Sequence, residues 1–186
     1  MNNLFYATYF TWILSEVILN RFVRSKSTDK KGTDKKTELY LWLIIISCIT
    51  IGTIISFNMY CPIYLIEKIK YIGLAIIIIG IIIRFIAIKQ LGKFFTVDVT
   101  IRANHQLMQS GLYKLLRHPS YTGCLLSFLG YGITLNNWIS LVVLFIPILL
   151  IFIYRMNVEE KVLTQQFGEK YLDYMSRTKR LIPFLY

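Results

Sequence analysis

The chain has 186 residues, of which 55% are hydrophobic and only 17% are charged, and its mean hydropathy is +0.54. This composition excludes an ordinary soluble domain and predicts an integral membrane protein of several helices. The net charge of +11 lies mainly in segments between apolar runs, so it favours acidic lipid headgroups over nucleic acid as the partner.

Five apolar runs predict five membrane-spanning helices, because each approaches the length needed to cross about 30 Å of hydrocarbon. The fourth and fifth runs flank Asn136-Asn137, a turn signal that predicts a tight helical hairpin. Pro147 is expected to bend the second member of this hairpin. The predicted helices cover residues 4–23, 39–59, 71–88, 119–135 and 138–154.

Two polar connections and a polar tail complete the chain. Residues 24–38 cannot form a core and predict a mobile cytoplasmic loop, whereas residues 89–118 form the longest connection. The tail from Arg155 carries apolar side chains at steps of four, four and three. This pattern predicts an amphipathic helix that continues from the fifth run and ends at Pro183. The side chains are those of Leu163, Phe167, Tyr171 and Tyr174.

Lysine and arginine are distributed unevenly among these segments. Residues 21–38 hold seven, residues 89–118 hold five and the tail holds six, whereas the connection before the third helix holds only Lys68 and Lys70. Because basic residues favour the cytoplasmic side, the count predicts five spans with the N-terminus outside and the C-terminus inside. A bacterial or archaeal plasma membrane is the expected location, since no targeting segment is recognisable.

The segment from Gly111 to Gly123 joins a cationic loop to an apolar run and holds one of only two histidines. Pro119 disfavours helical angles at His118 and is itself favoured at the first position of a helix. A loop that ends at His118 and a helix that begins at Pro119 are therefore predicted, with Tyr121 one turn into the helix. A basic anchor at the membrane interface explains the same residues equally well.

Isolated charges interrupt several apolar runs. Glu16 is expected to face a neighbouring helix or a polar cavity. Arg84 either extends to the headgroups, which its position alone slightly favours, or binds an anion through its guanidinium. Arg155 and Glu159 are four residues apart, which favours an ion pair within one helix. The adjacent carboxylates Glu159 and Glu160, at the membrane end of that helix, need a cationic partner or ligand.

Motifs of soluble cofactor and nucleophile sites do not occur in the sequence. There is no glycine-rich dinucleotide motif after a strand, no P-loop and no His-Glu-x-x-His. Cys48, Cys61 and Cys124 are odd in number and lack metal-like spacing, so they are interpreted as small apolar side chains. Any cofactor is therefore expected among helices and loops.

Four motifs follow one another in the second half of the chain. They are Gly111-x-Tyr113, Arg117-His118-Pro119-Ser120-Tyr121-x-Gly123, Glu159-Glu160-x-x-Leu163, and Phe167-Gly168-x-x-Tyr171-x-x-Tyr174 with Pro183. In this order they resemble the isoprenylcysteine carboxyl methyltransferase family, which belongs to a wider group of membrane methyltransferases that includes phospholipid N-methyltransferases. The resemblance implies one membrane domain over residues 1–186, with N-terminal helices in 1–79 that carry no diagnostic residues and a methyltransferase-like catalytic region in 80–186.

The resemblance also implies a cofactor and a set of site residues. The cofactor is S-adenosylmethionine, bound at the cytoplasmic face without a Rossmann fold, and Arg84 and Arg155 are expected at the substrate. No role is implied for residues 95–100, where members of the family differ. The residues expected around the cofactor are His105, Gln106, Leu107, Met108, Tyr113, His118, Pro119, Ser120, Tyr121 and Glu159.

The expected reaction is methyl transfer to the carboxylate of a prenylcysteine-like lipophilic substrate that reaches the site from the lipid. A carboxylate is already ionised at neutral pH and needs only to be held, which suits Arg84, whereas an amine or thiol must also lose a proton. The alternatives are methylation of a phospholipid amine or a small thiol, a membrane reductase, and a non-enzymatic transporter or scaffold. The oligomeric state and the identity of the acceptor are not indicated.

Overall fold

A computed structural model describes residues 3–22, 30–31, 35–96, 100–101, 106–183 and 185–186. The described part is helical, as predicted, apart from two-residue strands β1 (Lys30–Lys31) and β2 (Thr100–Ile101), which pair antiparallel. The strand β1 and the first turn of α2 lie in the segment 24–38 that was expected to be a mobile loop, so that expectation is wrong for residues 30–31 and 35–38. The helices are α1 (Asn3–Phe22), α2 (Lys35–Asn58), α3 (Ile69–Leu91), α4 (Pro119–Thr134), α5 (Trp138–Phe167) and α6 (Glu169–Arg177).

Three helical segments in the described part of the chain are long and apolar enough to cross a membrane. They are Leu39–Asn58, Ile69–Phe94 and Trp138–Phe167. The 16-residue helix α4 is shorter than a typical span, which needs about 20 residues. The protein is thus an integral membrane protein, and the number of five spans stays a prediction.

Helices α3 and α4 pack backbone to backbone through paired glycines. A Cβ atom added at Gly73 would lie 2.6 Å from the carbonyl oxygen of Gly130, and one at Gly80 would lie 2.5 Å from that of Gly123. Gly73 and Gly80 of α3 are seven residues apart, and so are Gly123 and Gly130 of α4, so the two glycines of each helix lie on one face of it. Small residues allow this close approach in membrane helices. The contact fixes α3, which carries Arg84, beside the first turns of α4.

The connection between α4 and α5 is a tight turn, as the asparagine pair predicts. Asn136 adopts a φ of +48°, which asparagine tolerates better than most residues. The side chain of Asn137 caps α5 by accepting a hydrogen bond from the Ser140 backbone N–H at 3.0 Å. Its amide also donates to the Met59 carbonyl at 2.6 Å, which ties this turn to the end of α2.

The tail differs from the prediction of one amphipathic helix that ends at Pro183. Helix α5 continues well beyond the apolar run but stops at Phe167, because Gly168 takes a φ of +55°. A separate helix, α6, follows and already ends at Arg177. From Thr178 the backbone is extended and runs parallel to the segment before α4, with Leu116 bridged to Lys179.

The hydrophobic core lies where α4 and α5 meet the faces of α1, α2 and α3. Leu144 and Ile148 of α5 and Ile77 of α3 are fully buried in it. The Trp12 ring of α1 packs edge-on against Phe128 of α4, with ring centroids 5.0 Å apart. At the end of this core that holds the first turn of α4, the packing opens into a cavity.

Candidate active site

A cavity of about 150 Å³ lies at the junction of α1 to α6. One part of its wall is polar and the other is apolar, with aliphatic and aromatic side chains from α2, α4 and α5. The apolar side is formed by Leu41, Trp42, Ile45, Phe128 and Phe152. The residues expected from the sequence that line the cavity are Arg84, Leu107, Met108, Tyr113, His118, Ser120, Tyr121, Arg155 and Glu159.

Two of the expected cofactor residues that the structure describes, Gln106 and Pro119, do not contribute to this wall. His105 lies outside the part of the chain that the structure describes. Gln106 is exposed beside the lining residues Leu107 and Met108. Pro119 is fully buried at the first position of α4, where its missing N–H and fixed φ suit the start of a helix. The helix begins where the sequence predicts, and Pro119 has a structural role there.

Arg84 forms an ion pair across the helix interface with Glu16 of α1. Its Nη2 donates to Glu16 Oε2 at 2.7 Å, and its Nε lies 2.6 Å from Glu16 Oε1 without hydrogen-bond alignment. Its Nη1 donates to the hydroxyl and the carbonyl of Ser120 at 3.1 and 3.3 Å. The Arg84 side chain is only 11% exposed, so the alternative in which it extends to the headgroups is wrong.

A second polar chain joins α4 to α5. Tyr121 donates its hydroxyl hydrogen to Glu159 Oε2 at 2.8 Å, and Arg155 Nε donates to the Tyr121 oxygen at 3.1 Å. Thus Arg155 and Glu159, which are adjacent on one face of α5, contact the same phenol. The Glu159 side chain remains 30% exposed and lines the cavity, so one carboxylate is open to a ligand.

Glu160, next to Glu159, faces away from this chain and contacts three cationic or polar groups. Its Oε1 accepts from Arg117 Nε at 2.8 Å and lies 3.2 Å from His118 Nε2, and its Oε2 accepts from Arg180 Nη2 at 2.5 Å. The carboxylate is 5% exposed. A buried carboxylate with this many partners is a fixed structural charge, since each of its oxygens is already bonded.

The Glu160 cluster also fastens the tail to the segment before α4. Arg117 N–H donates to the Lys179 carbonyl at 2.7 Å, and His118 N–H donates to the Arg180 carbonyl at 3.1 Å. Arg117 Nη1 adds bonds to the carbonyls of Met175 and Thr178. His118 is therefore held from both its backbone and its ring. Its ring stacks on Tyr121, with the ring centroids 5.4 Å apart and the planes at 11°.

Three tyrosines line the part of the cavity that faces the tail. Tyr174 donates to the Tyr113 carbonyl at 2.7 Å, whereas the Tyr171 hydroxyl is buried and has no hydrogen-bond partner among the described residues. Burial raises the pKa of Tyr113, Tyr171 and Tyr174 above the ordinary value, so all three phenols stay protonated at neutral pH. A buried hydroxyl without a partner at a cavity wall is suited to a polar ligand atom.

Several residues of the site were not assigned to it from the sequence. Glu16 lies in a helix without motif residues, and only its charge within an apolar run indicates a polar neighbour. Arg117 and Glu160 belong to the motifs, but their spacing does not show that they pair with each other. Arg180 lies in the tail, where no sequence signal distinguishes it from the other basic residues.

The sequence matches a known family and several characterised relatives. The model of the phospholipid methyltransferase family matches residues 69–170. Protein-S-isoprenylcysteine O-methyltransferase B of Arabidopsis thaliana is 37% identical over 115 residues, which are 61% of this chain and 58% of the relative. The Saccharomyces cerevisiae protein-S-isoprenylcysteine O-methyltransferase is 33% identical over 116 residues, which are 61% of this chain and 48% of the relative. The chain therefore spans about half of the length of these relatives.

One solved structure has a similar fold. It is the eukaryotic intramembrane Ras methyltransferase ICMT, an isoprenylcysteine carboxyl methyltransferase, which matches 96% of this chain and 60% of its own with a TM-score of 0.64. The identity is 24%, so the likeness bears on the fold alone. It extends over nearly all of the helices described above.

Proposed function

The chain belongs to the phospholipid methyltransferase family, and from this premise we propose that it is an integral membrane methyltransferase that depends on S-adenosylmethionine. The acceptor that we propose is the carboxylate of a prenylcysteine-like lipophilic molecule, as the names of the relatives suggest. The observation that carries the proposal is the cavity, in which one partly open carboxylate, two arginines and an apolar wall meet.

The cavity fits such a cofactor in its chemistry. Glu159 offers a carboxylate to the cationic part of the molecule, and the unpartnered Tyr171 hydroxyl offers a hydrogen bond to a polar part. Leu107 and Met108, with Tyr113, provide apolar and aromatic surface for a ring. We propose that these residues form the cofactor site together with His105 and Gln106. The residues that shape the first turn of α4 complete it, namely His118, Pro119, Ser120 and Tyr121.

When bound, S-adenosylmethionine supplies a methyl group attached to a positively charged sulfur. The residues of the chain then need only to bind, align and exclude water, because a carboxylate acceptor requires no base. Arg84 is held at the cavity wall by Ser120 and presents its guanidinium to an acceptor carboxylate. Arg155, fixed on the Tyr121 oxygen, adds a second positive charge. The apolar wall from α2 and α5 receives the lipid chain.

A phospholipid amine is the alternative acceptor, and the description of the matched family favours it. An ammonium group must lose a proton before it can attack, so it needs a base within hydrogen-bond reach. Glu159 is the cavity carboxylate that is most open to such a role, but we assign it to the cofactor. A screen of lipophilic carboxylates, phospholipid amines and small thiols for methyl transfer separates these acceptors.

Titration calorimetry of the purified protein with S-adenosylhomocysteine tests the cofactor. We expect binding by the natural protein, a loss of at least about tenfold in affinity for Glu159→Gln, and no change for Glu169→Gln. Glu169 is a matched control because it lies at the start of α6, away from the cavity lining. Folded protein that does not bind S-adenosylhomocysteine contradicts the proposal.

We further propose that residues 1–186 act as one membrane domain with the N-terminus outside and the site at the cytoplasmic face. The uneven distribution of basic residues supports this orientation. The relatives named above are eukaryotic, so the prokaryotic plasma membrane expected from the sequence gains no support from them. The acceptor would reach the apolar wall from the lipid, and the soluble cofactor from the cytoplasm.

A further inference from the structure

The arginine proposed to hold the acceptor already contacts a carboxylate of the chain itself. Both terminal oxygens of Glu16 lie within 2.7 Å of Arg84 nitrogens, and both side chains line the cavity. A substrate carboxylate that binds Arg84 needs the same nitrogens. The two carboxylates therefore compete for one guanidinium, and their mutual repulsion prevents both from sitting there together.

The two sides of this pair are supported differently. Arg84 has a second support, because its Nη1 donates to the hydroxyl and carbonyl of Ser120 in the first turn of α4. It also lies beside the contact of α3 with α4, where a Cβ at Gly123 would be 2.6 Å from the Arg84 backbone nitrogen. Glu16 makes no hydrogen bond to any other residue that the structure describes, and its side chain is 16% exposed. Arg84 can thus stay in place when Glu16 leaves.

We propose that Glu16 is a positioning residue that occupies the place of the acceptor carboxylate on Arg84 until an acceptor displaces it. This inference rests on the proposed function. Only an anion can exchange with Glu16 without leaving the buried guanidinium uncompensated. A neutral or cationic acceptor cannot take the place of Glu16, so it leaves the Arg84–Glu16 pair closed and gains no contact with the guanidinium.

The test compares binding of an S-farnesyl-N-acylcysteine with binding of its carboxamide, in the presence of S-adenosylhomocysteine, to the natural protein and to Glu16→Gln. We expect Glu16→Gln to bind the carboxylate with about tenfold higher affinity than the natural protein does, a change of the size that is typical of coupled sites. Its affinity for the carboxamide should be unchanged. In turnover, KM for the carboxylate should fall while kcat does not rise. Glu67→Gln is the matched control, because Glu67 forms an exposed pair with Lys70 away from the cavity.

Glu16→Asp provides the same comparison if Glu16→Gln does not fold, since its shorter side chain weakens the pair and keeps the charge. Equal or weaker carboxylate binding by these variants, in a protein that transfers methyl groups, overturns the inference alone. If neither the natural protein nor the variants bind or methylate the acceptor, the proposed function falls, and Glu16 and Arg84 are then a structural pair. Tighter carboxylate binding without tighter carboxamide binding supports the exchange.

Discussion

At the residue scale, two neighbouring glutamates of α5 have different environments. We therefore expect one of them to contribute to stability and the other to ligand binding. Adjacent residues of a helix point about 100° apart. Glu160 therefore faces the Arg117–His118–Arg180 cluster, while Glu159 faces the cavity. The sequence indicates that a carboxylate is needed here, but a single helix pattern cannot decide which of the two is open to a ligand.

Glu160→Gln should destabilise the protein strongly. The change leaves the buried Arg117 and the partly buried Arg180 without their common anion, and breaking a buried pair in this way costs about 3–5 kcal/mol. We expect a marked drop in the midpoint of thermal unfolding in detergent. Glu159→Gln, whose side chain is 30% exposed, should change that midpoint little. Equal midpoints for the two variants would contradict the structural role of Glu160.

Tyr171→Phe should weaken cofactor binding and leave stability intact. The change removes a buried hydroxyl that has no hydrogen-bond partner among the described residues, so only a bound ligand can lose an interaction. One hydrogen bond contributes about 1 kcal/mol, which predicts a loss of about fivefold in affinity for S-adenosylhomocysteine in calorimetry.

Tyr174→Phe is the contrasting variant for this prediction. Its hydroxyl bonds to the Tyr113 carbonyl at 2.7 Å, so we expect it to lower the unfolding midpoint by an amount that corresponds to about 1 kcal/mol. A Tyr171→Phe protein that binds S-adenosylhomocysteine as tightly as the natural one would remove Tyr171 from the cofactor site.

At the scale of elements, the α3–α4 contact positions the site. Glycines at a seven-residue spacing let the two backbones touch, which brings Arg84 of α3 to Ser120 of α4. The apolar runs predict the first four helices to within a few residues at each end, and the start of α5, because hydropathy and the turn signals determine where a helix can cross or turn. The end of α5, at Phe167, lies well beyond the apolar run that was predicted to end at residue 154. They do not predict which helices touch, and so they do not predict the pairing of Arg84 with Glu16.

Gly80→Ala should impair both packing and activity. A Cβ atom there would lie 2.5 Å from the Gly123 carbonyl oxygen, so α3 and α4 must separate and Arg84 must shift from Ser120. We expect a lower unfolding midpoint and a raised KM for the acceptor. Gly52→Ala is the control, because its nearest neighbours, in α5, would be 3.3 Å away or more. A Gly80→Ala variant as stable as Gly52→Ala would contradict this packing.

In the tail, the boundary between two helices could not be predicted from the sequence. The apolar stripe from Leu163 to Tyr174 has helical spacing throughout, yet Gly168 divides it between α5 and α6. Leu163 of α5 and Tyr171 and Tyr174 of α6 nevertheless all line the cavity. Glycine is a common helix terminator, and after α6 the chain pairs with the segment before α4 through Leu116 and Lys179.

At the scale of the whole molecule, the orientation in the membrane can be tested with the native cysteines. Cys48 and Cys124 are buried, whereas Cys61 is half-buried in the connection between α2 and α3. With the N-terminus outside, this connection faces outward. A membrane-impermeant maleimide should therefore label intact cells through Cys61, and Cys61→Ser should abolish the labelling.

The opposite face is tested in the same Cys61→Ser background. Ser176→Cys places a thiol at an exposed position of α6, and we expect it to react only after the membrane is permeabilised. Labelling of Ser176→Cys in intact cells, together with protection of Cys61, would reverse the proposed orientation. If Cys61 and the cysteine introduced by Ser176→Cys were labelled from the same side of the membrane, the number of spans between residues 61 and 176 could not be odd.

The Glu160 cluster joins three distant parts of the chain, and this has a consequence for biosynthesis. Arg117 precedes α4, Glu160 lies in α5, and Arg180 follows α6. A nascent chain whose α4–α5 hairpin has already been inserted still lacks Arg180, so the Glu160 carboxylate has only part of its positive partners. The site can therefore close only after the residues that follow α6 leave the ribosome, and a translation product that stops after α5 is expected to be inserted in the membrane and yet unable to hold its ligand.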